Sequence, residues 1–173
     1  INLMSHLEEK QNLEHVERES LAKEEGMTDP LTGLLNRRGW EHYLKLEEDV
    51  CAKQNRNGCV VMIDLDDLTK VNDTQGHTQG DELIKRAAIA LRHGARSGDV
   101  VARLGGDEFA YLAIGCQPEH AGVVVRRLAE STMNAKVGAS LAYDLRDITV
   151  PLPGAFDKAD RSASGSYLYD DDG

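Results

Sequence analysis

Apolar positions change their spacing several times along the chain, and each change marks an element. Residues 1 to about 25 carry scattered apolar positions at Leu3, Met4, Leu7, Leu13, Val16 and Leu21 in an acidic, Pro-free background. That spacing predicts a helix with an imperfect apolar stripe, either a solvated connector or a dimerising segment, ending at Gly26. A turn-rich stretch follows from Asp29 to Arg38, with Pro30 just after a capping-type Asp. Asn36 suits the N-cap of a helix from about 37 to 55, whose buried face is Trp40, Tyr43, Leu44, Val50 and Cys51. After the break at Asn57-Gly58, Cys59 to Ile63 is a continuous apolar run of strand type that ends at Asp64.

Asp64 to Asp81 reads as a dense polar loop, a kind that carries function or moves. Asp81 stands where an N-cap would precede a helix with the apolar face Leu83, Ile84, Ala87, Ala88 and Leu91, so capping and ligand contact are both open to it. Beyond a turn at Arg96 to Asp99, two short strands, Val100 to Ala102 and Phe109 to Ile114, fold back across Gly105-Gly106. Adjacent glycines supply the positive φ of a tight hairpin. Helical spacing returns from Pro118 to about Met133, with Ala121, Val124, Val125, Leu128 and Ala129 on one side. Lys136 to Tyr143 reads as a last strand, and Ala155 to Ala163 as a turn or two of helix in a less regular tail. No internal repeat is present.

This order predicts an α+β domain over 27–173, with helices packed on a mostly antiparallel sheet, preceded by a connector helix over 1–26. In such a sheet the end of the first strand can neighbour the central hairpin, bringing Asp64 to Asp107. The acids Asp107 and Glu108 at the bend could bind a metal, act as a base, or simply be solvated. Facing carboxylates repel unless a cation neutralises them, and hard oxygen ligands select Mg²⁺ or Mn²⁺.

Composition narrows the partners. A net charge of -10 over 173 residues argues against nucleic acid or an anionic membrane surface, since both need a basic excess. Any phosphate-bearing ligand must be met by local cations or metal ions. Cys51, Cys59 and Cys116 form no Cys-x-x-Cys pair and read as reduced thiols of a cytoplasmic protein. No apolar run approaches the roughly 18 to 20 residues that span a bilayer. The chain opens on Ile1 in mid-pattern, as expected of a piece of a longer protein with any membrane or sensor region upstream.

Across Asp29 to Tyr143 the sequence resembles the GGDEF-type diguanylate cyclases. The signatures, in order, are Asp29-Pro-Leu-Thr-Gly-Leu with Asn36-Arg37-Arg38, then Ile63-Asp64-Leu65-Asp66, Asn72-Asp73, Gly76-His77, Gly80-Asp81 and Gly105-Gly106-Asp107-Glu108-Phe109. The resemblance implies a palm-like sheet, similar to nucleotide cyclases and polymerases, and condensation of two GTP into cyclic di-GMP by a homodimer. It implies that Asp64, the Leu65 carbonyl and Asp107 hold two Mg²⁺ ions, and that Asp107 or Glu108 assists deprotonation of the ribose 3′-hydroxyl. Asn72 and Asp81 would read the guanine edge with His77 nearby, while Gly105 and Gly106 let the backbone approach the nucleotide. Arg96-x-x-Asp99, with five residues between it and Gly105, resembles the family's product-inhibition site, with Arg103 beside it.

Some positions depart from the family pattern. Leu68 and Thr69 stand where Phe-Lys is usual, Asp67 where a non-acidic residue is usual, and Tyr167 where a second phosphate-binding Lys falls. Phosphate charge would then be met by Mg²⁺, Arg103, Lys70 or Arg161. The alternative to an active cyclase is a weakened or inactive domain that binds cyclic di-GMP through Arg96 and Asp99. A third reading is a signalling scaffold that binds no nucleotide.

Overall fold

The run Cys59–Ile63 is apolar without alternation because both of its faces are covered. It lies in β1 (Gly58–Leu65), one of the two inner strands of a four-stranded sheet ordered β2-β3-β1-β4. The other strands are β2 (Val100–Gly105), β3 (Glu108–Ile114) and β4 (Ala139–Arg146), and every neighbouring pair is antiparallel. The structure, a computed structural model, describes residues 3, 6, 9, 20, 21, 23, 25–147 and 149–165. The helices are α1 (Arg37–Gln54), α2 (Leu68–Gln75), α3 (His77–Gly94), α4 (Ala121–Asn134) and α5 (Leu152–Gly165).

Side chains alternate across a strand, so β1 splits its residues between two cores. Val60 and Met62 meet α1 and α5 on one face, where Trp40 packs edge-on against Phe156 with ring centroids 5.6 Å apart. Cys59, Val61, Ile63 and Leu65 meet α3 and α4 on the other. The same parity decides which helices each acid at the end of β1 will face.

Asn36 caps α1 as expected, its side chain accepting from Gly39 N at 2.9 Å. Trp40, Tyr43, Leu44 and Cys51 are buried, but Val50 is 36% exposed. The expected loop from Asp64 to Asp81 is instead the helix α2, the break at Gly76 (φ 90°) and the first turn of α3. Asp81 is therefore inside α3 and caps nothing. Periodicity is silent here because α2 buries only Leu68 and the first turn of α3 buries only Gly80. The hairpin strands are longer than expected, and only Gly106 (φ 25°) has positive φ. β4 starts three residues late, after Lys136 (φ 58°) turns the chain out of α4. α5 is a helix of 14 residues rather than a turn or two. Pro153 falls in its first turn, where a missing N–H is harmless, and Leu152, Ala155, Phe156, Ala159 and Ala163 form its buried stripe.

Asp67 enters α2 in the left-handed conformation, at φ 62° and ψ 12°. A Cβ is disfavoured there, so Asp67→Gly should stabilise the domain by about 0.5–1 kcal/mol, read as a higher urea midpoint. Leu3, His6, Glu9, Ser20, Leu21 and Lys23 are helical and exposed, whereas Met4, Leu7, Leu13 and Val16 of the expected stripe lie outside the described residues. Tyr167 does too.

Candidate active site and product cavity

The end of β1 is the meeting point of the predicted acids. Asp64 is the direct cross-strand partner of Glu108, and strand parity turns both toward α1 and α5. The Leu65 N–H donates to the Asp107 carbonyl at 2.9 Å, fastening the hairpin turn to the last residue of β1. Asp64, Leu65, Asp107 and Glu108 thus share one corner of the sheet. Asp160 on α5 joins them and was missed from the sequence, where it falls in the less regular tail. Its address is visible only once α5 is laid across β1 and β4.

Burial, and then the charges of Asp107, Asp160 and Asp66, push the Asp64 carboxyl above the ordinary carboxylate range. Burial also raises Glu108, reinforced by Asp160 and Asp64 and opposed by Arg37, whose Nη2 lies 3.9 Å from Glu108 Oε1. Asp66 is turned aside. It accepts from Ser140 Oγ at 3.0 Å, and its N–H donates to the Gly138 carbonyl at 2.9 Å, tying β1 to the start of β4.

Carboxylates crowded until burial and mutual repulsion raise them form a donor set that a divalent cation relieves. Among the described residues, no three His, Cys, Asp or Glu side chains form a ready-made cage. Mg²⁺ takes one or two carboxylates and completes its octahedron with water and substrate phosphate. Asp64, Asp107 and the Leu65 carbonyl would supply such a set.

Beside this corner lies an open cavity of about 650 Å³, whose lining includes Leu65, Thr69, Lys70, Asp73 and Asp107. Lys70 therefore lines the space that adjoins Asp107. Farther along, the α2–α3 corner brings Asn72 onto Gly80 so closely that any Cβ at Gly80 would overlap the Asn72 carboxamide. His77 and Asp81, one turn apart on α3, are exposed at the same corner.

A second cavity, about 300 Å³, is lined by Arg96, Asp99, Cys116, His120 and Arg127 among others. Asp99 is 7% exposed. It accepts from the Tyr111 hydroxyl and, at 3.0 Å, from the Arg96 backbone N–H, and Arg127 Nη2 lies 3.9 Å away. Burial still holds its carboxyl above the ordinary range. Arg127 donates from Nε to the Gly94 carbonyl at 2.7 Å, while its Nη1 is buried without a hydrogen-bond partner. Sequence reasoning missed Arg127, which α4 delivers from a distant stretch of chain. Arg103, expected at this site, is elsewhere. Its guanidinium holds Asp29 at 3.2 Å and the Gly106 carbonyl at 3.0 and 3.2 Å, bracing the hairpin turn.

A four-stranded antiparallel sheet flanked by helices, with acids gathered at one strand end and its hairpin, defines a palm-like domain of the nucleotide-cyclase type. The family model for the diguanylate cyclase GGDEF domain matches residues 26–148, and the chain belongs to that family. It is 41% identical over 102 residues to the probable diguanylate cyclase DgcC of Escherichia coli K12, covering 59% of this chain and 28% of DgcC. Diguanylate cyclase DgcP of Pseudomonas aeruginosa is 36% identical over 109 residues, covering 61% of this chain and 16% of DgcP. The chain thus matches less than a third of the length of either relative. Among solved structures, a sensory box/GGDEF family protein from Caulobacter crescentus CB15 superposes with TM-score 0.74 at 30% identity, covering 85% of this chain and 99% of that one. Diguanylate cyclase SiaD of Pseudomonas aeruginosa, solved with its activator SiaC, superposes with TM-score 0.78 at 26% identity, covering 95% of this chain and 67% of SiaD. Among the described residues, no helix is long and apolar enough to cross a membrane.

Proposed function

We propose that this domain condenses two GTP molecules into cyclic di-GMP, releasing two pyrophosphates, as a homodimer in the cytoplasm. The observation that carries this reading is the pairing of Asp64 with Glu108, with Asp107 hydrogen-bonded to Leu65 beside the Lys70 cavity. Bound by Asp64, Asp107 and the Leu65 carbonyl, Mg²⁺ or Mn²⁺ would lower the pKa of the ribose 3′-hydroxyl and offset charge on the α-phosphate. Asn72 and Asp81 read guanine, because a carboxylate accepts from both N1–H and the 2-amino group. His77 closes that corner, and Lys70 meets phosphate. Gly105 and Gly106 leave room for the nucleotide beside the hairpin. Glu108 or Asp107 takes the 3′ proton as the oxygen attacks the α-phosphorus of the facing GTP, and pyrophosphate departs. One domain offers one such corner, so two must face each other to align hydroxyl and phosphate. Segment 1–26 would set that geometry. Three free thiols fit a reducing compartment.

Arg96, Asp99 and Arg127 form the product site, with two guanidiniums for anionic and aromatic surfaces and one carboxylate for guanine. Incubating the purified dimer with GTP and Mg²⁺ should yield cyclic di-GMP and pyrophosphate. No product at high protein concentration, with tight binding of added cyclic di-GMP, would leave only a binding module. Arg96→Ala and Arg127→Ala should each weaken cyclic di-GMP binding about tenfold or more in calorimetry while sparing the initial rate. Unchanged binding in both would refute this site.

A further inference from the structure

The adjacent arginines at the start of α1 diverge. Arg38 donates to the Glu25 carbonyl at 3.5 Å, toward the N-terminal segment. Arg37 instead reaches the carboxylate corner, where the charges acting on Glu108 are Asp160, Asp64 and Arg37 itself, the only cation of the three. Its contact is loose. The Arg37 Nη2 to Glu108 Oε1 distance of 3.9 Å is too long for a hydrogen bond, and that oxygen is buried without a hydrogen-bond partner. The Arg37 side chain is half-exposed, so its guanidinium is free to take a better acceptor.

Strand parity adds to this. Asp64 and Glu108 face α1 and α5, whereas Lys70 lines the cavity on the α2 side. A nucleotide whose phosphates reach across the corner between these faces would meet Lys70 on one side and Arg37 on the other. Thr69 supplies no charge on the α2 side, which leaves Lys70 as the cation lining that cavity, and a triphosphate gains from a second cation across the corner.

We infer that Arg37 leaves Glu108 on substrate binding and donates to the phosphates of GTP, as the phosphate-binding cation of the α1–α5 face. The inference rests on the GTP-binding reading above. A guanidinium is suited to the task because its planar fork of donors engages phosphate oxygens in pairs, which an ammonium does not.

Calorimetry of the dimer with Ca²⁺ in place of Mg²⁺, titrated with GTP, GDP and GMP, tests it. Arg37→Ala should weaken GTP binding about tenfold or more and GMP binding less than about twofold, with Arg37→Lys in between. The same Arg37→Ala step is then measured in a Glu108→Gln background. If Arg37 serves only to neutralise Glu108, its effect vanishes there and the inference falls. If it binds phosphate, the loss for GTP persists. An equal loss for GTP and GMP also overturns it. Failure of the wild-type dimer to bind GTP would instead overturn the proposed function. Circular dichroism of each variant establishes that the fold is intact.

Discussion

Asp64→Asn should abolish cyclic di-GMP formation while leaving the domain folded and no less stable. Asn keeps the shape of the side chain but removes the charge that would hold the proposed divalent cation. A fall in rate of about a thousandfold or more is expected, on the order of 4 kcal/mol of transition-state stabilisation. The stability result follows from the sign of the shift. The Asp64 carboxyl is raised above 3.8 in the folded chain, so the native state holds its proton more tightly than the unfolded state. That favours folding below the unfolded value and disfavours it once pH has risen through the folded value. At neutral pH the metal-free wild type carries this penalty and Asp64→Asn does not. Melting with and without Mg²⁺ should therefore show an equal or higher Tm for the metal-free variant, with the Mg²⁺-dependent increase reduced or lost. More than a tenth of wild-type turnover would remove Asp64 from the site.

The second large effect concerns a residue that touches no ligand. Glu48 on α1 accepts from Arg146 on β4 at 2.8 and 2.9 Å and from the Leu152 N–H at the start of α5 at 2.8 Å. Arg146 also donates to the Arg56 carbonyl at 2.9 Å. The two side chains are only 18% and 7% exposed, so truncating one leaves the other poorly solvated. Glu48→Ala should destabilise the domain by about 3 kcal/mol, a large share of a typical total of roughly 5–15. α5 should loosen first, carrying Asp160 away from Glu108, so activity should fall at urea concentrations that leave the sheet intact. The hydrogen bond from Arg146 lowers the Glu48 pKa below 4.5 in the folded chain. Its contribution is therefore present above 4.5 and disappears as pH falls through the folded value. The stability difference between wild type and Glu48→Gln should be constant at neutral pH and shrink in the acid range. A difference that persists unchanged into the pH range where acid unfolds the domain would show that the Arg146 hydrogen bond does not favour the ionised Glu48 carboxyl.

How far each element was legible depended on whether its burial left a pattern. β1 did as an unbroken apolar run, because both of its faces are covered, and the apolar faces of α1, α3 and α4 did because packing against a sheet forces period-3.6 spacing. α2 did not, since a helix that buries one residue has almost no stripe to read. α5 was shortened because two prolines in its approach resemble a loop, although the second sits where a helix tolerates it. In the candidate site, the Asp64 and Asp107 corner was legible because Asp64 closes the apolar run of β1 and Asp107 lies in the hairpin turn, which an antiparallel sheet can place beside it. Arg103 was misplaced because spacing along a strand does not say which way a long side chain leaves it, and here it bends back to Asp29 and Gly106.

Membership of the GGDEF family, the sheet with its central hairpin, and the identities of the acids and of the corner proposed to read guanine are properties of the sequence by itself, since local spacing and short motifs carry them. The presence of Asp160 beside Glu108, of Arg127 beside Asp99 and of Arg37 as the cation facing Glu108 was decided only by tertiary structure. Each of these residues sits on a helix whose own periodicity accounts for its buried face and is indifferent to its polar one. Which partner a polar side chain meets depends on how that helix crosses the sheet, and the crossing is set by long-range packing rather than by any neighbour in the chain.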